Sequence, residues 1–280
     1  MPRARVGKIE LYYLIDGSAG SPWVVLIPGF SAPLEMWAPQ LPALVGTHRV
    51  LTYDLRGHGR SDSPFGGYDV ATQSRDLLGL MEHIGIDAAC IVGDAAGGAI
   101  AVELALAHPE RVSQLVLVGT RIHGWDPPAG QLPPETAEEQ AYNEESRRLR
   151  RQGSIAQQLQ HWWLGDWSRP LREDPVRRRA LLFSDLILSW PAGAWRATMA
   201  SPPVPPHFPL LPELQVPTLV IHGGADMAVI QAHARQWCAT LPNATQIIVP
   251  GAGHVPNWEF PELFNRALLE FLRESSTHQP

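Results

Sequence analysis

The sequence predicts an α/β protein: a mainly parallel, doubly wound sheet interrupted by a helical insertion. Three observations lead there. Short runs rich in β-branched residues alternate with longer runs of helical spacing, the pattern of strands joined by crossover helices. Some short runs, such as residues 23–27, are continuously apolar, which suits a strand covered on both faces. The alternation then stops between roughly residues 121 and 206, where proline clusters bracket a helical stretch.

Taken in order, residues 9–15 read as a strand that Asp16-Gly17 turns away. Strands follow at 23–27 and 49–54. Residues 71–84 have helical spacing, with Leu77, Leu78, Met81 and Ile84 on one face. A strand at 88–92 leads into a helix at 97–108 that Pro109 ends, and 113–118 is the next strand. After the insertion come strands at 217–221 and 245–249, a helix at 230–241 between them, and a closing helix at 261–273. Pro261 stands at the start of that helix, where a missing N–H costs least. The expected division is a core of residues 1–120 and 207–280 with a helical cap at 121–206. Six of the ten tryptophans fall in the cap, more than lid packing requires, so an aromatic wall for an apolar ligand is expected there. Trp163, Trp190 and Trp195 are the candidates to face it.

The net charge of −6 gives no footprint for nucleic acid. No apolar run approaches membrane-spanning length, and no continuous apolar stretch follows the N-terminal basic residues, so a cytoplasmic protein is expected. Two cysteines are too few for a disulfide framework, and Cys90 reads as a small core residue. A homo-oligomer is compatible with the sequence.

The chemistry centres on Val92-Gly93-Asp94-Ala95-Ala96-Gly97-Gly98, between a strand and a helix. Gly93 and Gly97 stand two residues either side of Ala95, the spacing of a nucleophile elbow with a methyl group at its tip. Asp226 and His254 follow later strands in the order such a site requires, acid before histidine. The carboxylate would fix the imidazole tautomer, and the imidazole would take a proton. The backbone N–H groups of Phe30, after the strand at 23–27, and Ala96, at a helix start, are candidate oxyanion donors.

The segments VVLIPGF, YDLRGHGRSD, VGDAAGG, HPERVSQLVLVGT, PTLVIHGGAD and GAGHVPNWEFPE resemble the α/β-hydrolase fold superfamily over nearly the whole chain. MWAPQLPAL before YDLRGHGRSD resembles the enol-lactone hydrolase and small carboxylesterase branch. The resemblance implies Asp226 as triad acid, His254 as base, Phe30 and Ala96 as oxyanion donors, a small ester or lactone as substrate, and neither metal nor organic cofactor. Pro28 departs from the histidine of many members. Ala95 departs from the usual serine, less often aspartate or cysteine. Asp94 is one residue off the tip and is expected to hydrogen-bond locally.

Three readings of Ala95 follow. In the first, which the intact surroundings favour, alanine replaces a serine and silences an acyl-enzyme hydrolase. In the second, alanine is natural and His254 with Asp226 activates water or substrate directly, as in a lyase, a C–C hydrolase or a cofactor-free oxygenase. In the third, the chain only binds small molecules. Elsewhere, His58 is expected to be a structural loop residue and His222 a packed one; His123 and His161 are expected at the surface, with lining a pocket as the alternative for either. The arginines at 147, 148, 150, 151 and 177–179 are expected to form solvated, salt-bridged helix faces.

Overall fold

The computed structural model describes residues 2–152, 154–173, 204 and 206–276. The strands are β1 (Arg3–Val6), β2 (Ile9–Asp16), β3 (Trp23–Ile27), β4 (Arg49–Tyr53), β5 (Ala89–Asp94), β6 (Val112–Val118), β7 (Thr218–Gly223) and β8 (Ala244–Val249). They form a single sheet in the order β1-β2-β4-β3-β5-β6-β7-β8. β1 and β2 run antiparallel, β2 pairs antiparallel with β4, and every later pairing is parallel. β1 was not foreseen. Its RARV alternation is short, and it gains its place by pairing with β2 through Ala4 and Leu11, both fully buried.

The main helices are α1 (Val70–Ile84), α2 (Ala96–Ala107), α3 (Ala137–Gln152), α4 (Ile155–Trp163), α5 (Ala228–Thr240) and α6 (Pro261–Ser276). Strand alternation sorts the core into two layers. Val25, Ile27, Leu51, Ile91, Leu115 and Leu117 pack under α1, α2 and α5. Val24, Leu26, Val50, Cys90, Val92 and Val116 face α6, through Phe264, Leu268 and Leu272, together with Trp37 and Leu44. The sheet is therefore covered on both faces, as the continuous apolar strands required. Cys90 is buried in the second layer, and burial pushes its thiol well up.

Local chemistry sets the helix ends. Asp69 caps α1 by accepting the Thr72 N–H at 2.8 Å, and Gly85 closes it in the left-handed region (φ 81°). Ser154 and Gln157 form a reciprocal capping box on α4. α2 differs: it is apolar nearly all round and has no side-chain cap. It is held by burial of Ile100, Val102 and Leu104 instead.

β3 lies between β4 and β5, so the chain leaves it in opposite directions across the sheet. This is a topological switch point, and the crevice at the carboxyl ends of such strands is where ligands bind in open α/β sheets. The loop after β3 and the turn after β5 meet there. Their contact is backbone against backbone. A Cβ on Gly93 would lie 2.4 Å from the Gly97 carbonyl oxygen, and a Cβ on Gly97 would lie 2.6 Å from the carbonyl oxygens of Ile27 and Pro28. Neither neighbour is a side chain that can rotate away. Gly93→Ala is therefore expected to destabilise the protein by about 1–3 kcal/mol, read as a lower urea midpoint; a midpoint equal to the parent's would show that the turn has slack.

Candidate active site

Ala95 joins β5 to α2 with φ 45° and ψ −106°, a conformation non-glycine residues rarely adopt. The ladder carries it there. β5 pairs with β6 through Asp94 and Val118, and the Ala95 N–H then donates to the Val118 carbonyl at 2.8 Å. The expected strand at 88–92 thus runs two residues further, because its partner does. Ala96 is the first residue of α2, where an N–H has no intrahelical acceptor.

His254 and Asp226 meet as the sequence order implied. Imidazole Nδ1 lies 3.1 Å from both carboxylate oxygens, and the Asp226 side chain is fully buried. Asp226 Oδ1 also accepts the Met227 N–H at 2.7 Å. The two loops are laced together: the Ala225 N–H donates to the Ala252 carbonyl, and a Cβ on Gly223 would collide with the Ala252 and Gly253 carbonyls. The ring rests on Gly119, where a Cβ would lie 3.0 Å from Cε1. Burial opposes charge on His254, but Asp226, then Asp94 and Glu259, outweigh it and raise its pKa to about 9. Glu259 was not foreseen. Its carboxylate accepts the N–H groups of Gly253 and Val255, on both sides of His254. No signal in GAGHVPNWEF marks it, because its role depends on the loop folding back over its carboxylate.

The loop carrying Phe30 is held by the YDLRGHGRSD segment. Asp54 accepts the Leu34 N–H at 2.7 Å and the Arg60 N–H at 2.9 Å. His58 Nε2 accepts the Ser31 N–H at 3.1 Å while Nδ1 donates to the Arg56 carbonyl at 2.9 Å. Ser31 itself has φ 66°. His58 therefore steadies the residue next to Phe30, and burial lowers its pKa to about 4. This bears out a structural histidine and gives it a definite task.

Phe30, Ala95, Ala96 and His254 all line one cavity of about 440 Å³, with Arg121 and His123 at its polar part. A smaller cavity of about 210 Å³ also touches Ala95 and His254. The tryptophans that line this second space are Trp162 and Trp167; Trp162 stacks edge-on to Phe30 with ring centroids 5.7 Å apart. Trp163, expected on the pocket wall, packs edge-on against Trp167, with ring centroids 5.5 Å apart. Trp190, Trp195 and Arg177, Arg178 and Arg179 lie outside the described residues.

His123 and His161 follow the pocket-lining alternative rather than the surface one, and Asp94 departs in part from its expected local bonding. His123 is half-buried on the cavity wall against His207, and burial, then His207 and Arg121, lower its pKa to about 4. His161 is half-buried, stacked on Tyr142 at 4.2 Å and hydrogen-bonded to Ser146 at 2.8 Å. Asp94 sits beside the tip as expected, but its Oδ1 has no hydrogen-bond partner among the described residues. His222 is buried between Gly223 and Gln246, as expected, and the Glu145–Arg148 ion pair matches the salt-bridged helix face. No group of three or more His, Cys, Asp or Glu among the described residues is arranged to hold a metal, and no described helix is long and apolar enough to cross a membrane.

Comparison with known proteins agrees with this architecture. Residues 22–261 match the α/β-hydrolase fold family. RutD of Caulobacter sp. (strain K31), named a carbamate hydrolase, is 31% identical over 271 residues, 94% of this chain and 95% of its own. RutD of Azorhizobium caulinodans, named likewise, is 40% identical over a shorter match of 125 residues, 45% of each chain. The solved enol-lactonase of Burkholderia xenovorans LB400 superposes with a TM-score of 0.79 at 30% identity, over 97% of this chain and 100% of that one. The chain belongs to the α/β-hydrolase fold family, near its enol-lactonase and esterase branch.

The buried histidine at the loop contact makes stability depend on acid. His58 is neutral in the folded state down to about pH 4 but takes a proton near its ordinary 6.5 once unfolded. Its contribution is intact above 6.5 and is lost as pH falls towards 4. Between pH 7 and pH 5 the cost is about 2 kcal/mol. His58→Gln is expected to narrow the difference in urea stability between those two pH values by about that amount; an unchanged difference would mean that His58 charges freely in the fold.

Proposed function

We propose that this protein hydrolyses a small apolar or aromatic ester, lactone or carbamate, using His254 and Asp226 as a general-base dyad that activates water beside Ala95. The observation carrying this reading is the pairing of imidazole Nδ1 with both Asp226 oxygens, which leaves Nε2 as the working nitrogen in a cavity shared with Ala95, Ala96 and Phe30. Relatives named for carbamate and enol-lactone hydrolysis support the carbonyl substrate class. The Phe30 and Ala96 amides receive the developing oxyanion, and α2 adds the favourable end of its dipole there. Residues 121–206 act as the cap, with Trp162 and Trp167 closing one side over His254. No cofactor enters the chemistry, and the work is done in the cytoplasm on a small molecule.

A second reading is favoured by the backbone at Ala95. A conformation that costs about 1–3 kcal/mol suits a side chain that must be held at the tip, so a serine there would attack and form an acyl-enzyme. The two separate on one set of proteins. With activated esters, lactones and carbamates, the dyad reading expects turnover by the chain as it stands and a fall of roughly 10²–10⁴-fold in His254→Ala. The serine reading expects negligible turnover, and a gain of roughly four to six powers of ten with burst kinetics in Ala95→Ser. Absence of hydrolysis in both proteins, with tight ligand binding, would leave a non-catalytic binder.

Acting as a base, His254 must be unprotonated, and its neighbours hold its pKa up to about 9. kcat/KM is therefore expected to rise with pH to a plateau above about 9. A profile already flat from pH 6 would exclude His254 as the base.

A further inference from the structure

We propose that Asp94 is a catalytic residue that holds the attacking water against His254, in the small cavity on one side of Ala95. The proposal rests on the water-activating reading of the dyad. Asp94 ends β5 with its side chain on the same face as Cys90 and Val92, and is 3% exposed. Its Oδ1 has no hydrogen-bond partner among the described residues. Its Oδ2 presses on Gly29, where a Cβ would lie 2.3 Å away. A carboxyl oxygen placed so deep without a partner is unfavourable. It is retained where water or chemistry uses it.

The cavity beside it fits that use. Its volume of about 210 Å³ is bounded by Asp94, Ala95, His254, Gly29, Trp162 and Trp167. One water takes a share of about 30 Å³, so it admits the nucleophile, and the methyl group of Ala95 leaves open the region a serine hydroxyl would fill. Three carboxyl groups face His254 from three segments: Asp226 after β7, Asp94 at the end of β5, and Glu259 just beyond the histidine. Asp226 is committed to Nδ1, and Glu259 to the Gly253 and Val255 amides. Asp94 has no such commitment. Burial raises its pKa to about 7, against the pull of the His254 charge, so it ionises near neutrality.

In the step, the Asp94 carboxylate accepts one water hydrogen as a hydrogen bond. His254 Nε2 takes the other as a proton. The water oxygen forms a bond to the substrate carbonyl carbon, whose π electrons move to the oxyanion. Collapse of that intermediate breaks the bond to the leaving oxygen or nitrogen, which receives the proton back from His254. Water is the only co-reactant.

The test compares kcat, KM, pH profile and melting temperature for the parent, Asp94→Asn and Asp94→Ala, on an ester, lactone or carbamate that the parent turns over. Asp94→Ala is expected to lower kcat about 10²-fold with KM little changed and the melting temperature held or raised, since an unpartnered buried carboxyl is removed. Asp94→Asn, which keeps the shape, is expected to lose part of that rate and to shift the rising limb of the pH profile to lower pH. In the Asp94→Ala background, Ala95→Ser is expected to recover hydrolysis, because a hydroxyl then replaces the held water. Unchanged kcat in both Asp94 variants, or a rate loss that follows a fall in melting temperature with the pH profile unmoved, overturns the proposal. If Asp94→Ala does not fold, Asp94→Asn decides alone. Parental kcat in His254→Ala would instead defeat the dyad reading itself.

Discussion

The close approach of backbone to backbone at the end of β5 is the constraint on which the rest of the structure depends. β3, β5 and α2 meet there without side chains between them: Gly93 touches the Gly97 carbonyl, and Gly97 touches the carbonyls of Ile27 and Pro28. Only that proximity lets the turn be tight enough to place Ala95 in the positive-φ region. The strain is of order 1–3 kcal/mol and is offset by burial of α2, whose flank is apolar nearly all round. From that one turn follow the position of the Ala95 methyl, the N–H at the start of α2 that has no acceptor within the helix, and the opening into which the Phe30 loop is set.

A second theme is the use of carboxylates to hold backbone. Asp54 ties Leu34 to Arg60, Glu259 clasps the residues flanking His254, and Asp226 binds Met227 as well as the imidazole. Each is buried, and each has its charge answered by N–H groups or by a cation. The result is a histidine whose loops cannot move independently and whose charged form is favoured in spite of burial. His58 is the opposite case. It is surrounded by backbone rather than by carboxylates, and it stays neutral. The same residue type thus serves as a proton carrier in one place and as a neutral bracket in another, and its neighbours make the difference.

The parts of the site that were legible in the sequence are those with a local signature. Gly93 and Gly97 about Ala95, Asp226 after one strand and His254 after the next can be read as a spacing and an order, since each depends on residues within one strand–loop unit. Glu259 could not be read that way: its role needs a loop to fold back so that two amides converge on it. Nor could the contact of Trp162 with Phe30, because helix phase depends on how α4 lies against the core. His123 and His161 looked like surface residues for the same reason, since burial is a property of the packed molecule. β1 is too short to declare itself, and exists because β2 offers it an edge.

What the sequence by itself determined is the layered sheet, the glycine-framed turn, and the chain order of acid and histidine, because periodicity, steric demand and loop position are written in neighbouring residues. What only the tertiary structure decided is which groups meet: the bond from Asp226 to His254, the bracket from His58 to Ser31, and the cavity that Asp94 shares with the imidazole. These pairs are separated along the chain by whole strands and helices. Their contacts arise only when the sheet order brings the ends of β3, β5, β7 and β8 to one rim.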